Sequence, residues 1–279
     1  MIIDVEFQKK LREQYNPDGS ALRKAQLRMV ELLKFIDKIC TENNLRYWIS
    51  FGTLLGAARH GGFIPWDDDT DICMPIEDVR KLKQIMLNNN PSKEFVLQCH
   101  ENDPGYNRSQ WVALRDLRSE YIQDNNFHNG LKYRGLQVDI FPVEENVSLG
   151  LKKCADFLQR YFITNPTVSN KWYYMIIKPF RKIVWYLLNN IIIPICHLFK
   201  NKRNCNSYII SYGVPIPYRY IGEKSDIYPV QRILFEKVEF NAPKEYDKYL
   251  SNLYGDWKRV PSPSKIKTHH VQVVFKQSI

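Results

Sequence analysis

The run YWISFGTLLGAARHGGFIPWDDDTDICMP, from Tyr47 to Pro75, joins a strand-like apolar segment, a Gly-Thr turn, a short Ala-rich segment, a Gly-Gly break and four aspartates within five residues. Packing alone gives no reason for Asp67, Asp68, Asp69 and Asp71 to stand together, because adjacent carboxylates repel unless a cation or several donors hold them. Asp67, Asp69 and Asp71 match the first, third and fifth positions of an EF-hand. Ile72 then falls where that loop needs Gly and Asp78 where it needs Glu, which speaks against a calcium loop. In a strand, alternate side chains share a face. A strand over Thr70 to Met74 therefore points Asp69 and Asp71 the same way, as a pair able to bridge Mg²⁺, with Mn²⁺ as the alternative hard cation. Asp67 is a further ligand or a residue behind the ligands, and Asp68 alternates away toward solvent.

Upstream, Arg46 to Phe51 reads as a strand ended by Gly52, and Thr53 is placed to cap a helix that runs to His60 and breaks at Gly61-Gly62. Gly52 and Thr53 offer backbone N–H groups and a hydroxyl at a strand-to-helix junction, a favourable place for a phosphate. Arg59, with His60, could add positive charge there; the ordinary alternative for Arg59 is a surface helix position. Residues 1–20 read as a polar lead-in, and Leu22, Leu27, Val30, Leu33, Phe35, Ile36 and Ile39 predict an amphipathic helix over 21–43.

Downstream, the pattern predicts a helix over 77–88 and strands over 95–99, 111–117 and 137–141, the last ended by Pro142. Asp139 lies inside that otherwise apolar strand, a costly position without a ligand or donor, and is the candidate third carboxylate. This alternation predicts an α/β (α+β) protein with a mixed sheet flanked by helices. Beyond about Val147 a helix is expected over 151–162, the most apolar stretch over 172–199, a hairpin strand over 233–240 and a helix from Pro243 to Leu253.

Hydrophobic residues at 44% and aromatics at 13% of 279 residues belong to a folded chain with a substantial core. The formal charge is +10, yet its location matters more than its size. Residues 157–222 hold nine Lys or Arg and no Asp or Glu, so nearly all the excess lies there. These bases flank an apolar stretch instead of interleaving with polar residues, which fits an anionic membrane surface met through residues 171–203 and not a nucleic acid. The six scattered cysteines show no C-x-x-C pair and read as reduced thiols. The first thirty residues are charged and lack an apolar signal core. A cytoplasmic setting is expected, peripheral to the inner face of the cell membrane.

FGTLLGAARHGGFIPWDDDTDICMP, QVDIFPVE and the C-terminal YGDW with Pro261 and His269-His270 resemble the signature of the LicD family, which includes the fukutin-related enzymes. The resemblance implies a nucleotidyltransferase-like fold, with Gly52-Thr53 at its Gly-Ser turn, Asp69 and Asp71 as its metal-binding Asp-x-Asp and Asp139 as its third carboxylate. It implies transfer of phosphocholine from CDP-choline to a sugar hydroxyl of a lipid-linked surface glycan, teichoic acid or capsule precursor, releasing CMP. Another CDP-alcohol, of ribitol or glycerol, is the alternative donor. Asp139 would take the hydroxyl proton. Choline asks for aromatic faces, which makes Trp66 a candidate beside the aspartates, with Trp111, Tyr133 and Tyr106 behind it. His269 and His270 would contact a phosphate or protonate the leaving CMP. Two other readings are an NTP-dependent nucleotidyltransferase and a non-catalytic membrane scaffold. The expected organisation is a catalytic core over 1–150, a basic apolar helical insertion facing the membrane over 151–222, and a segment over 223–279 completing core and site.

Overall fold

The computed structural model describes residues 3–122, 130–164, 180–198, 206–217, 220–266 and 272–276. Its centre is a mixed sheet in the order β1 (Trp48–Ile49), β2 (Asp71–Pro75), β6 (Gln137–Glu145), β4 (Val112–Asp116), β3 (Phe95–Gln98). β2 and β6 run parallel, and the other pairs in this order are antiparallel. Every residue of β2 is buried, as expected for a strand covered on both faces.

β6 is longer than the sequence predicts. It passes through Pro142 to Glu145, pairing with β4 as far as Ile140 and with β7 (Ser207–Ile210) from Val143 onward. Pro142 sits where the neighbouring strand changes, so its missing N–H interrupts neither ladder. β7 continues to β8 (Tyr220–Glu223), and both belong to the central sheet. The segment expected to be a helical insertion to residue 222 therefore returns to the sheet at Ser207.

Two long helices cover the sheet. α2 (Ala21–Glu42) is capped by Ser20, whose hydroxyl accepts the Arg23 N–H at 3.0 Å. It buries Ala25, Met29, Leu32, Leu33, Ile36 and Cys40, one face at helical spacing. Leu27, expected on that face, lies off this register and is exposed. α4 (Ile76–Asn88) packs Val79, Leu82 and Met86 inward. Between β1 and β2 lies the shorter α3 (Phe51–His60), closed by Gly61 in the left-handed conformation at φ 70°.

The polar lead-in forms α1 (Val5–Tyr15), capped by Asp4. The run 233–240, read as one hairpin strand, is a complete hairpin of β9 (Gln231–Phe235) and β10 (Val238–Ala242) turning at Glu236-Lys237, both at positive φ. Its tip reaches α3. The Glu236 N–H donates to Gly61 O at 3.1 Å, and the Glu236 carboxylate takes two hydrogen bonds from Arg23, at 2.9 and 2.6 Å, and one from the Phe63 N–H at 3.1 Å. A side chain at Gly62 would stand 2.5 Å from that carboxylate, which explains the second glycine of the break.

A small lobe connects β6 to β7. It contains a helix Leu149–Leu158, a π-helical turn Gln159–Thr164, and helical residues 180–198 with a π turn at Leu188–Ile192. Val147, Ala155, Ile163, Leu188, Ile193 and Tyr212 form its own core. Among the described residues no helix is long and apolar enough to cross a membrane. The C-terminal helix Tyr246–Tyr254 docks on the first motif, the Tyr249 hydroxyl lying 2.6 Å from Ser50 Oγ and 3.4 Å from Trp48 Nε1. β11 (Gln272–Phe275) pairs with β5 (Ser119–Ile122) outside the main sheet. Four described cysteines are buried thiols and Cys154 is exposed.

Candidate active site

The parallel register of β2 and β6 sets Asp71 directly beside Asp139. Two buried carboxylates on adjacent strands form the floor of a cavity of about 340 Å³, which Asp67, Asp69 and Gly52 also line. Asp69 stands just before β2 and reaches the cavity from the end of the loop, so the strand starts one residue later than the alternation predicts. Among the described residues, the tightest grouping of possible ligand atoms is that of Asp67, Asp68 and Asp69, all within 4.8 Å of one another. Four carboxylates thus line the cavity with Asp68 beside them, and no lysine or arginine is among its described lining residues.

Each carboxylate is held by the fold. Ser50 donates its N–H to Asp71 O at 3.0 Å, and the Asp71 N–H donates to Thr53 Oγ1 at 2.8 Å, tying the start of α3 to the start of β2. Thr53 lies inside α3 and is buried; it does not cap the helix as predicted, because Ser50 occupies the cap position. Its hydroxyl is spent on Asp71 instead of facing the cavity. Gly52 lies against Asp67, and a Cβ there would stand 2.7 Å from Asp67 Oδ2. Asp139 accepts from Trp111 Nε1 at 3.0 Å and from Gln137 Nε2 at 2.6 Å. Asp68, expected in solvent, is half-buried and accepts the Tyr121 hydroxyl at 2.5 Å.

The electrostatics follow from burial and mutual repulsion. Burial, then the charges of Asp69, Asp139 and Asp67, push Asp71 well above the usual carboxylate range, against the pull of the Gly52 N–H. Burial and the neighbouring Asp69 and Asp68 do the same to Asp67. Asp139 is also raised by burial, with Arg108, Arg115, Trp111 and Gln137 moderating the shift. An all-carboxylate oxygen set of this density, with a glycine clearing space beside it, fits a hard divalent cation. Such a cation would offset the repulsion that the bare chain carries.

The cavity wall is aromatic. Phe51, in a positive-φ conformation at 45°, packs edge-on to Phe141 at 5.1 Å, and Phe141 lies 4.7 Å from Trp111. Arg108 covers the Trp111 ring at 3.6 Å. Tyr254, Ile216 and Pro217 complete the lining. Phe51 and Phe141 sit inside the quoted motifs but read there as strand residues. Tyr254 belongs to the YGDW run, and nothing in the sequence marks Ile216 or Pro217.

Two predicted contacts lie elsewhere. Trp66 is not among the lining residues; it packs against Tyr15 at 5.3 Å and His60 at 6.1 Å, because its side chain turns toward α1. Arg59 is buried and donates to the carbonyls of Trp257 at 2.8 Å and Arg259 at 3.0 Å, so it anchors the C-terminal loop. Burial lowers it to about 10 and lowers His60 to about 3, which keeps that imidazole neutral. His269 and His270 lie outside the described residues.

A family profile described as "LicD/FKTN/FKRP, nucleotidyltransferase domain" matches residues 44–185. The chain is 21% identical over 268 residues to the lipopolysaccharide cholinephosphotransferase LicD of Haemophilus influenzae, covering 91% of this chain and 97% of that protein. It is 42% identical over 112 residues to the mouse ribitol 5-phosphate transferase FKRP, covering 40% of this chain and 19% of that protein. An uncharacterized Rickettsia prowazekii protein is 49% identical over 63 residues, 23% of this chain and 24% of that protein. The carboxylate loop, the strand pair beneath it and the matched span coincide, and the chain belongs to the LicD/FKTN/FKRP nucleotidyltransferase-domain family of phosphotransferase-type enzymes.

Proposed function

We propose that this enzyme transfers phosphocholine from CDP-choline to a sugar hydroxyl of a lipid-linked glycan, releasing CMP. The observation that carries the reading is the pairing, in one cavity, of the carboxylates Asp67, Asp69, Asp71 and Asp139 with the rings of Phe51, Trp111, Phe141 and Tyr254. Aromatic faces suit a quaternary ammonium and equally stack a pyrimidine. Similarity to a named cholinephosphotransferase along nearly its whole length supports choline over ribitol.

Asp69, Asp71 and Asp139, with Asp67 beside them, would hold Mg²⁺ or Mn²⁺. Bound there, the cation supplies charge for the diphosphate and for the attacking and leaving oxygens. Asp139 takes the proton of the acceptor hydroxyl as its oxygen bonds to the distal phosphorus and the bond to CMP breaks. Trp111 and Gln137 fix its orientation, and Gly52 keeps space open beside Asp67.

Product analysis tests the proposal. Purified protein with Mg²⁺ and a sugar acceptor should release CMP from CDP-choline faster than from CDP-ribitol or CDP-glycerol. Pyrophosphate from an NTP, with no CMP from any CDP-alcohol, would replace this reading by nucleotidyl transfer.

A further inference from the structure

The helical stretch from 180 to 198 is apolar on two faces. Leu188, Ile193 and Cys196 turn inward onto the core of the lobe. Phe180, Ile183, Leu187, Ile191, Ile195 and Leu198 lie between 40% and 82% exposed. Successive members of this outer set are three or four residues apart, so they form one stripe along the helix. Tyr186 on the same helix, and Phe157 and Tyr161 on the neighbouring one, are exposed as well. A continuous apolar surface of this extent on a folded chain marks a place where something binds.

Charge identifies the occupant. Lys182 is exposed within the stripe's own helix, Arg160 is exposed on the neighbouring one, and no acidic residue occurs from 157 to 222. A long stripe of aliphatic and aromatic side chains flanked only by bases matches an anionic lipid surface, where bases meet phosphate groups and apolar side chains enter the acyl boundary. We propose that this stripe lies in the surface of an anionic bilayer, with the helix parallel to the membrane plane.

Flotation of the full chain with vesicles tests this. The wild type should float with vesicles of phosphatidylglycerol and phosphatidylcholine, less so at high salt, and should stay behind with phosphatidylcholine alone. Ile183→Asp/Ile191→Asp/Ile195→Asp should lower partitioning at least ~tenfold while leaving Tm and CMP release from a water-soluble acceptor assay unchanged. If that variant fails to fold, Lys182→Gln carries the test, with an expected loss of about fivefold. Wild type that ignores anionic vesicles, or variants that float as well as wild type, would overturn the proposal. So would a dimer, seen by light scattering, that the substitutions dissolve, because the stripe would then belong to a second copy. CMP release is read separately, so failure of the catalytic reading leaves this result interpretable.

Discussion

Asp71 carries opposing demands from stability and function. Its folded pKa is raised above the ordinary 3.8, so the folded chain binds that proton more tightly than the unfolded chain does. The resulting stabilisation is present at low pH and is lost as pH rises through the raised value. Metal-free Asp71→Asn should therefore melt at a higher temperature than wild type at pH 7, while losing activity on the order of a hundredfold or more. Differential scanning calorimetry with and without Mg²⁺ checks the first half; Mg²⁺ should raise Tm in wild type and have little effect in the variant. Gly52→Ala makes the complementary case. Its Cβ would press on Asp67, so Mg²⁺ affinity by titration calorimetry should fall with little change in fold. The aspartates were legible because they crowd into one short run and because Asp139 is an isolated charge in an apolar strand. Arg59 and Trp66 lie away from the cavity lining, a placement the sequence could not give because nearness along the chain does not say toward which side a ring or guanidinium turns.

Among the elements, the join between α3 and β2 includes one buried side-chain hydroxyl, that of Thr53. Thr53→Val removes the acceptor of the Asp71 N–H, and leaving that donor unpaired should cost about 1–3 kcal/mol in chemical denaturation. The hairpin tip gives a pH-dependent counterpart. Burial alone would raise Glu236, but hydrogen bonding and charge from Arg23, with the Phe63 N–H, hold it below its usual 4.5. Its contribution is therefore complete above the unfolded pKa and is lost as pH falls through the lower folded value. Glu236→Gln should be less stable than wild type at pH 7 by about 3 kcal/mol, as for a buried pair deprived of one partner, and the gap should close in acid. α2, α4 and the central strands were readable from periodicity. α1, β5, β7, β8 and β11 were not, because they are short or polar and their pairing is decided by tertiary contact.

At the scale of the molecule, the lobe braces the cavity from outside. Lys152, fully buried, pairs with Asp156 at 2.9 Å and donates to the carbonyls of Ser211 at 2.8 Å and Val214 at 3.2 Å. Arg160 holds Pro215 O at 2.7 Å, and Gln159 holds Asn107 O at 2.6 Å. These carbonyls belong to the two loops that carry Ile216, Pro217 and Arg108. Lys152→Met removes the cation from a buried carboxylate and a donor from two carbonyls, so it should destabilise the protein by about 3 kcal/mol. It should also raise the KM for donor more than it lowers kcat in steady-state assays. The sequence announced the lobe by its charge and apolarity, but not its return to the sheet, since Ser207–Ile210 and Tyr220–Glu223 are too short to stand out.

That return has a consequence for how the fold can be taken apart. The chain leaves the sheet after Glu145 and re-enters it at Ser207 on the adjoining antiparallel strand, where Glu145 faces Tyr208. In topology, the lobe is an overgrown loop between two neighbouring strands of one hairpin. A short turn could bridge the same gap, and the shortened chain would keep the order of its strands. Proteins of this family could differ widely in this loop while sharing one catalytic sheet, and a graft at these two positions is the natural way to exchange one lobe for another.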